Sequence, residues 1–167
     1  MRKHNERYEV GEITTKEFCE FYLKHSTRKI TSNEVQKAWN SMLLDFPLHR
    51  LKFIQELAGV KNFQLILLSN TNELHINWIK ENVPHYYDFK VCFDAFYLSH
   101  EIGLRKPNTN IYEFILKNHD VAPAQVLFID DTQDNTQAAK AMGLCTWNLD
   151  PKTEDVVDLF TTNQHLF

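Results

Sequence analysis

An α/β fold, with a Rossmann-like parallel sheet covered by helices and a smaller helical appendage, is what this sequence predicts. Two observations carry the expectation. Short apolar runs of strand length alternate with stretches of helical period, and a run apolar on both faces belongs in a parallel sheet between helix layers. Residues 1–47, in contrast, show helical periodicity only.

In chain order, Thr14-Thr-Lys-Glu17 fits a capping box, followed at helical spacing by Phe18, Phe21, Tyr22 and His25. Thr31-Ser-Asn-Glu34 fits a second, with Val35, Ala38, Trp39 and Met42 on one face. Pro47 marks a boundary. A helix is expected from Leu48 to about Gly59, where glycine offers a stop. The apolar run Phe63–Leu68 reads as a strand and ends in Ser69-Asn70-Thr71, ahead of a helix over about Asn72–Asn82. Phe93–Leu98 reads as a second short strand. Pro107 opens a helix carrying Ile111, Phe114 and Ile115. Gln125–Ile129 is the next strand, followed by a helix that stops at Gly143. Cys145–Leu149 is a last strand and Thr153–Phe160 a last helix. The domain division that follows is 1–47 and 48–167.

Of the 167 residues, 43% are hydrophobic and 24% charged, an ordinary globular mixture. The net charge is −4 and basic runs are absent, so neither nucleic acid nor an anionic membrane surface is an expected partner. No apolar run reaches the length of a membrane span. The first ten residues lack the apolar stretch of a secretory signal. Cys19, Cys92 and Cys145 are scattered and odd in number, which reads as reduced thiols. Cytoplasm is the expected location.

Parallel sheets bind ligands beyond the carboxyl ends of their strands. Ser69, Asp130 and Asp131 stand at such ends. An adjacent carboxylate pair suits a hard divalent cation, and Mg2+ takes one or two protein carboxylates and keeps several waters. The competing reading, that one Asp caps the next helix and the other is solvated, is preferred for a lone Asp but not for a pair after Val-Leu-Phe-Ile. Ser69 offers a hydroxyl, and the amides after it form an anion cradle at a helix N-terminus; taken alone, helix capping is the better account of it. Lys106 is a compact ammonium suited to a phosphate oxygen, although a lysine before a helix is usually a surface charge. Arg105 reads as a surface residue.

The order of these pieces is more specific than any one of them. LILLSNTNELH, SHEIGLRKPNTNIYEFIL and VLFIDDTQDNTQAAKAMG resemble the second, third and fourth motifs of the haloacid dehalogenase (HAD) superfamily of hydrolases, over roughly residues 48–150. The subgroup resembled includes sugar-phosphate phosphatases and the phosphatase domain of soluble epoxide hydrolases. YEVGEITTKEF resembles, more loosely, the start of the family's helical cap. The resemblance implies a phosphatase that uses an aspartyl-phosphate and Mg2+ on a small phosphorylated metabolite. Ser69 and the Asn70 amide would hold the phosphoryl group. Lys106 would neutralise charge between nucleophile and phosphate. Asp131 would bind Mg2+ directly, Asp130 would share it or act through its water, and Asn135 would brace the loop. The acidic pair favours phosphate chemistry over carbon–halogen cleavage.

The family's first motif, DxDx[TV], is missing: no Asp-x-Asp occurs in the sequence. Asp94 has no second carboxylate nearby and reads as a residue leading into a strand; Asp88 and Asp120 sit in loop-like contexts. The central strand that carries the motif has no counterpart before the cap-like segment. The expectation is therefore a truncated cap and core, inactive and poorly stable alone unless a partner segment or a missing N-terminus completes the sheet. The alternative is a non-catalytic phosphate- or metal-binding remnant of the fold. Cys-x5-Arg, HExxH and GxxxxGK[ST] chemistries fail on residue identity. In a receiver domain the acidic pair would come first and the lysine last, the reverse of the order here.

Overall fold

A computed structural model describes residues 1–164 of the 167. Two compact units divide the chain, Met1–Gly103 and Leu104–Phe167.

The first unit begins with α1 (Arg2–Glu9), α2 (Thr15–His25) and α3 (Ser32–Asn40). Both expected capping boxes form: Thr14 accepts from the Glu17 amide and Thr31 from the Glu34 amide, and each glutamate returns to its cap residue's amide. The core of this segment is aromatic. Phe18 is fully buried, with its ring centroid 4.3 Å from Tyr8 and 4.8 Å from Trp39, and Cys19 and Val35 complete the cluster. Trp39 is thus a packing residue. Met42 falls past the end of α3 and is 57% exposed, so the expected apolar stripe stops at Trp39.

Next come α4 (Leu48–Val60), β1 (Ile66–Ser69), α5 (Glu73–Asn82), α6 (Tyr86–Lys90), β2 (Ala95–Leu98) and α7 (Ser99–Ile102). Gly59 does not stop α4; Lys61 does, in the left-handed conformation at φ 55°. Strand β1 starts later than its apolar run suggests. Its parallel partner β2 begins at Ala95, and the Asp94 carboxylate takes the Leu65 amide, which ends the ladder there. Phe63, outside the ladder, is 43% exposed.

The 1–47 segment is fastened to α5. The Tyr8 hydroxyl accepts from the Leu74 amide and bonds Thr15, whose own hydroxyl reaches Glu73. His75 faces the Trp39 carbonyl through Nε2 at 3.2 Å and the Asn72 side-chain amide through Nδ1 at 3.2 Å. A carbonyl only accepts, so Nε2 carries the proton and Nδ1 receives one from Asn72. Between α1 and α2 the backbone of Gly11, at φ 71°, lies against α7: a Cβ there would meet the His100 carbonyl oxygen at 2.3 Å.

Burial holds the His75 pKa below its ordinary value, and the Trp39 carbonyl offsets this only in part. The resulting stability is present above the unfolded value of about 6.5 and is lost as pH falls below it through the lowered folded value. We expect the urea midpoint to drop between pH 7.5 and pH 5. His75→Gln, which keeps a donor for Trp39, should flatten that slope; an unchanged slope would remove His75 as a source. His4 and His100, also lowered by burial, supply the rest.

The second unit holds α8 (Thr109–His119), β3 (Leu127–Asp130), α9 (Gln133–Ala141), β4 (Cys145–Asn148), a 3-10 turn (Val156–Asp158) and α10 (Leu159–Thr162). Asn108, not Pro107, precedes the first turn of α8, and Tyr112 joins Ile111 and Ile115 on its buried face. Helix α9 ends where expected, with Gly143 at φ 87°. The last predicted helix is a 3-10 turn followed by one short helix. β3 and β4 are parallel, as are β1 and β2, so all the described ladders are parallel. Every residue of β1 and β3 is half-buried rather than buried, and each strand has one ladder partner among the described residues. None of the three cysteines forms a disulfide. No helix among the described residues is long and apolar enough to cross a membrane.

Candidate active site

In the second unit, strand β3 delivers Asp130 at its carboxyl end, and the turn before α8 delivers Lys106. Their side chains meet at 2.7 Å and are 6% and 9% exposed. Asp130 Oδ2 accepts from Lys106; Oδ1 accepts from the Thr132 amide at 2.8 Å and the Asn135 side chain at 2.9 Å. Burial pushes the Asp130 pKa up. The Lys106 charge, with the hydrogen bonds from Lys106, Asn135 and Thr132, outweighs it and leaves the carboxyl below its usual range. The ammonium also lies 5.5 Å from the centroid of the Phe128 ring.

Asp131 differs from its neighbour in every respect. It is exposed, and its one described side-chain contact is a long one, 3.5 Å from the Thr132 hydroxyl. Thr132 is the N-cap residue of α9, and neither aspartate accepts a first-turn amide of that helix. Helix capping therefore does not account for the acidic pair.

One residue of this cluster was not anticipated from sequence. Tyr112, 1% exposed, donates to the Asn135 carbonyl at 2.8 Å and meets the Phe128 ring edge-on at 5.4 Å. It supports both the residue that braces Asp130 and the ring beneath Lys106. Burial, then the nearby Asp130 charge, pushes its phenol pKa well up, so it is a donor throughout the working range. Arg105, expected on the surface, is half-buried.

In the first unit, Ser69 ends β1, and Ser69 and Asn70 are half-buried. Helix α5 is capped by Asn72, whose side chain accepts from the His75 amide, so Ser69 is not its cap. The loop is locked by Ser99, fully buried at the end of β2, whose hydroxyl both receives the Thr71 amide and donates to the Thr71 carbonyl, each at 2.9 Å. Ser99 was legible only as a polar residue after an apolar run, the same signal that marked Ser69. Among the described residues, no group of three or more His, Cys, Asp or Glu side chains is placed to hold a metal.

Within each unit the parallel strands belong to an α/β protein, and Ser69 in the first and Asp130 in the second stand at strand carboxyl ends, the place where such sheets bind ligands. The sequence profile of haloacid dehalogenase-like hydrolases matches residues 9–143, and the chain belongs to that family. D-ribitol-5-phosphate phosphatase of Bacteroides thetaiotaomicron is 30% identical over 145 residues, which span 83% of this chain and 68% of the relative. The sesquiterpene phosphatase astK of Aspergillus oryzae is 40% identical over 52 residues, 31% of this chain and 26% of that protein. Among solved structures, a HAD family enzyme of B. thetaiotaomicron in its magnesium complex matches with a TM-score of 0.82 and 31% identity, covering 93% of this chain and 78% of that one. The same enzyme with magnesium and inorganic phosphate matches at 0.80.

Proposed function

We propose that this chain carries the phosphate- and metal-handling part of a magnesium-dependent phosphatase acting on a small phosphorylated metabolite. The observation that carries the reading is the buried Lys106–Asp130 pair beside an exposed Asp131. One carboxylate is spent on holding the lysine, and the other is left for a cation. A relative that acts on D-ribitol 5-phosphate by name, and a structural relative solved with magnesium and phosphate, support the same reading.

In this reading Ser69 and the Asn70 amide bind the phosphoryl oxygens. Lys106, fixed in place by Asp130, offsets the charge that builds between nucleophile and phosphate. Asn135 and Tyr112 keep Asp130 from turning away. Mg2+ fits the donor set in part: Asp131 supplies one free carboxylate, Asp130 has a lone pair to share, and water and phosphate oxygens complete a shell of the kind this ion favours. When bound, the ion would polarise the phosphoryl group. Residues 1–47 would act as the cap that selects substrate.

These 167 residues contain no Asp-x-Asp, the pair in which this reading expects the attacking carboxylate. The reading therefore assigns it to a segment outside them, whether upstream in a longer polypeptide or on a partner, with transfer through an aspartyl-phosphate. The same absence favours the second reading, a non-catalytic remnant that binds phosphate or metal. Supplying a strand with the Asp-x-Asp pair separates the two: phosphate release from a generic monoester with Mg2+ supports the enzyme, and its failure supports the remnant. For the chain as it stands, Asp131→Asn should weaken Mg2+ binding about tenfold or more by calorimetry. Because Asp131 is exposed, the fold should survive. Equal affinity would take Asp131 out of the metal site.

A further inference from the structure

Strand β1 ends at Ser69, paired with Leu98, and β2 gives way to α7 at the next residue, Ser99. Thr71 therefore lies past the end of the ladder, and the Ser99 side chain takes its two peptide groups. The hydroxyl accepts from the Thr71 amide and donates to the Thr71 carbonyl, each at 2.9 Å. Both residues are buried. One oxygen serves the N–H and the C=O of a single residue only where they point the same way, as in an extended chain; in a helix they point in opposite directions along the axis. The clamp thus carries the direction of β1 two residues beyond its ladder. Because the peptide between them is planar and trans, the Asn70 carbonyl is turned away from Ser99.

We propose that Ser99 is a positioning residue for phosphate: by clamping Thr71 it aims the Ser69 hydroxyl and the Asn70 amide at one phosphoryl group. The proposal rests on the phosphatase reading above, which gives those two groups that task. Helix α5 shows why the shape of the loop matters. The Leu74 amide donates to the Tyr8 hydroxyl and the His75 amide to the Asn72 side chain, each at 3.1 Å. With the Thr71 amide held by Ser99, three donors that follow Ser69 are engaged within the protein. The start of α5 is therefore not the open anion cradle that the sequence suggests. Few groups remain to meet a phosphoryl oxygen, and a hydrogen bond weakens steeply as it bends, so a small rotation of the loop forfeits much of the contact. Removing the Ser99 hydroxyl leaves the Thr71 amide and carbonyl buried without that partner, and a turn of the loop toward water relieves the penalty.

The test titrates inorganic phosphate into the full 15N-labelled chain at constant ionic strength and follows the backbone amides of Ser69 and Asn70. In the parent both are expected to shift. Ser99→Ala should bind phosphate about tenfold more weakly. Ser99→Cys, which keeps a weaker donor and acceptor of similar size, should fall between the two. Val35→Ala, in the buried cluster of the same unit, controls for stability alone. It should lower the urea midpoint and leave phosphate affinity unchanged, and its Thr71 amide should exchange with solvent more slowly than that of Ser99→Ala. If Ser99→Ala, or Ser99→Cys where the alanine variant does not fold, binds phosphate as the parent does, the positioning role is overturned and the phosphatase reading stands. A loss of affinity in Val35→Ala as large as in Ser99→Ala would overturn the role as well, since general loosening would then suffice. If phosphate leaves the Ser69 and Asn70 amides of the parent unmoved, the phosphatase reading is overturned and the role of Ser99 with it.

Discussion

Replacing Lys106 with methionine is expected to cost about 3–5 kcal/mol of stability, because it strands a buried carboxylate without its counter-charge. Asp130 keeps two hydrogen bonds in that variant, from Asn135 and the Thr132 amide, but loses the partner that holds its charge. Asp130→Asn should cost a similar amount by stranding the ammonium. The double variant Lys106→Met with Asp130→Asn should recover a substantial part of the loss, since neither charge is then buried alone. Denaturant unfolding of the four proteins gives the coupling directly. Strictly additive losses would mean that the pair does not act as a pair. The pH dependence follows from the direction of the shift. The Asp130 pKa is lowered in the folded chain, so its contribution is complete above the unfolded value, about 3.9, and vanishes as pH falls through the lower folded value. The loss should be visible in acid well below the window set by the histidines.

Phe18→Ala is the second large effect. Phe18 has no exposed surface and sits within 4.3–5.1 Å, centroid to centroid, of Tyr8, Trp39 and Tyr22. Truncation to alanine leaves a ring-sized void among rings that are themselves anchored, Tyr8 by Thr15 and Trp39 by its stack on His75 at 5.5 Å. Collapse into the void is restricted, so a cost of about 3–5 kcal/mol is expected. Hydrogen exchange should place the loosening in α1, α2 and α3 and in the first turn of α5. A loss under about 1 kcal/mol would mean that the aromatic cluster is not what holds this segment together.

The parts of the fold that were legible in the sequence are those written in local code. A threonine with a glutamate three residues on closes the same two hydrogen bonds wherever it opens a helix, so the boxes at Thr14 and Thr31 could be read directly. Gly143 likewise supplies its positive φ without reference to any neighbour. The strand limits were not local. β1 begins at Ile66 because Asp94, 28 residues further on, occupies the Leu65 amide, and nothing near Phe63 announces that. Short helices such as α6 and α7 escaped because four or five residues carry no usable period. At the site, residue types were legible and partnerships were not. Asp130 and Asp131 look identical side by side in sequence. Only a lysine 24 residues earlier and an asparagine five residues later make one a buried anion and leave the other in water. Tyr112 was read as nothing in particular, since its role lies in a single hydrogen bond to a backbone carbonyl.

Gly11 and Gly59 show how unequal two residues of one kind can be. At position 59 a methyl group would meet nothing within 4 Å, whereas at position 11 it would strike main chain and strain the φ angle as well. A population drifting under mutation could wander freely at the former. At the latter it meets a wall, because no intermediate step in side-chain size is small enough to pass.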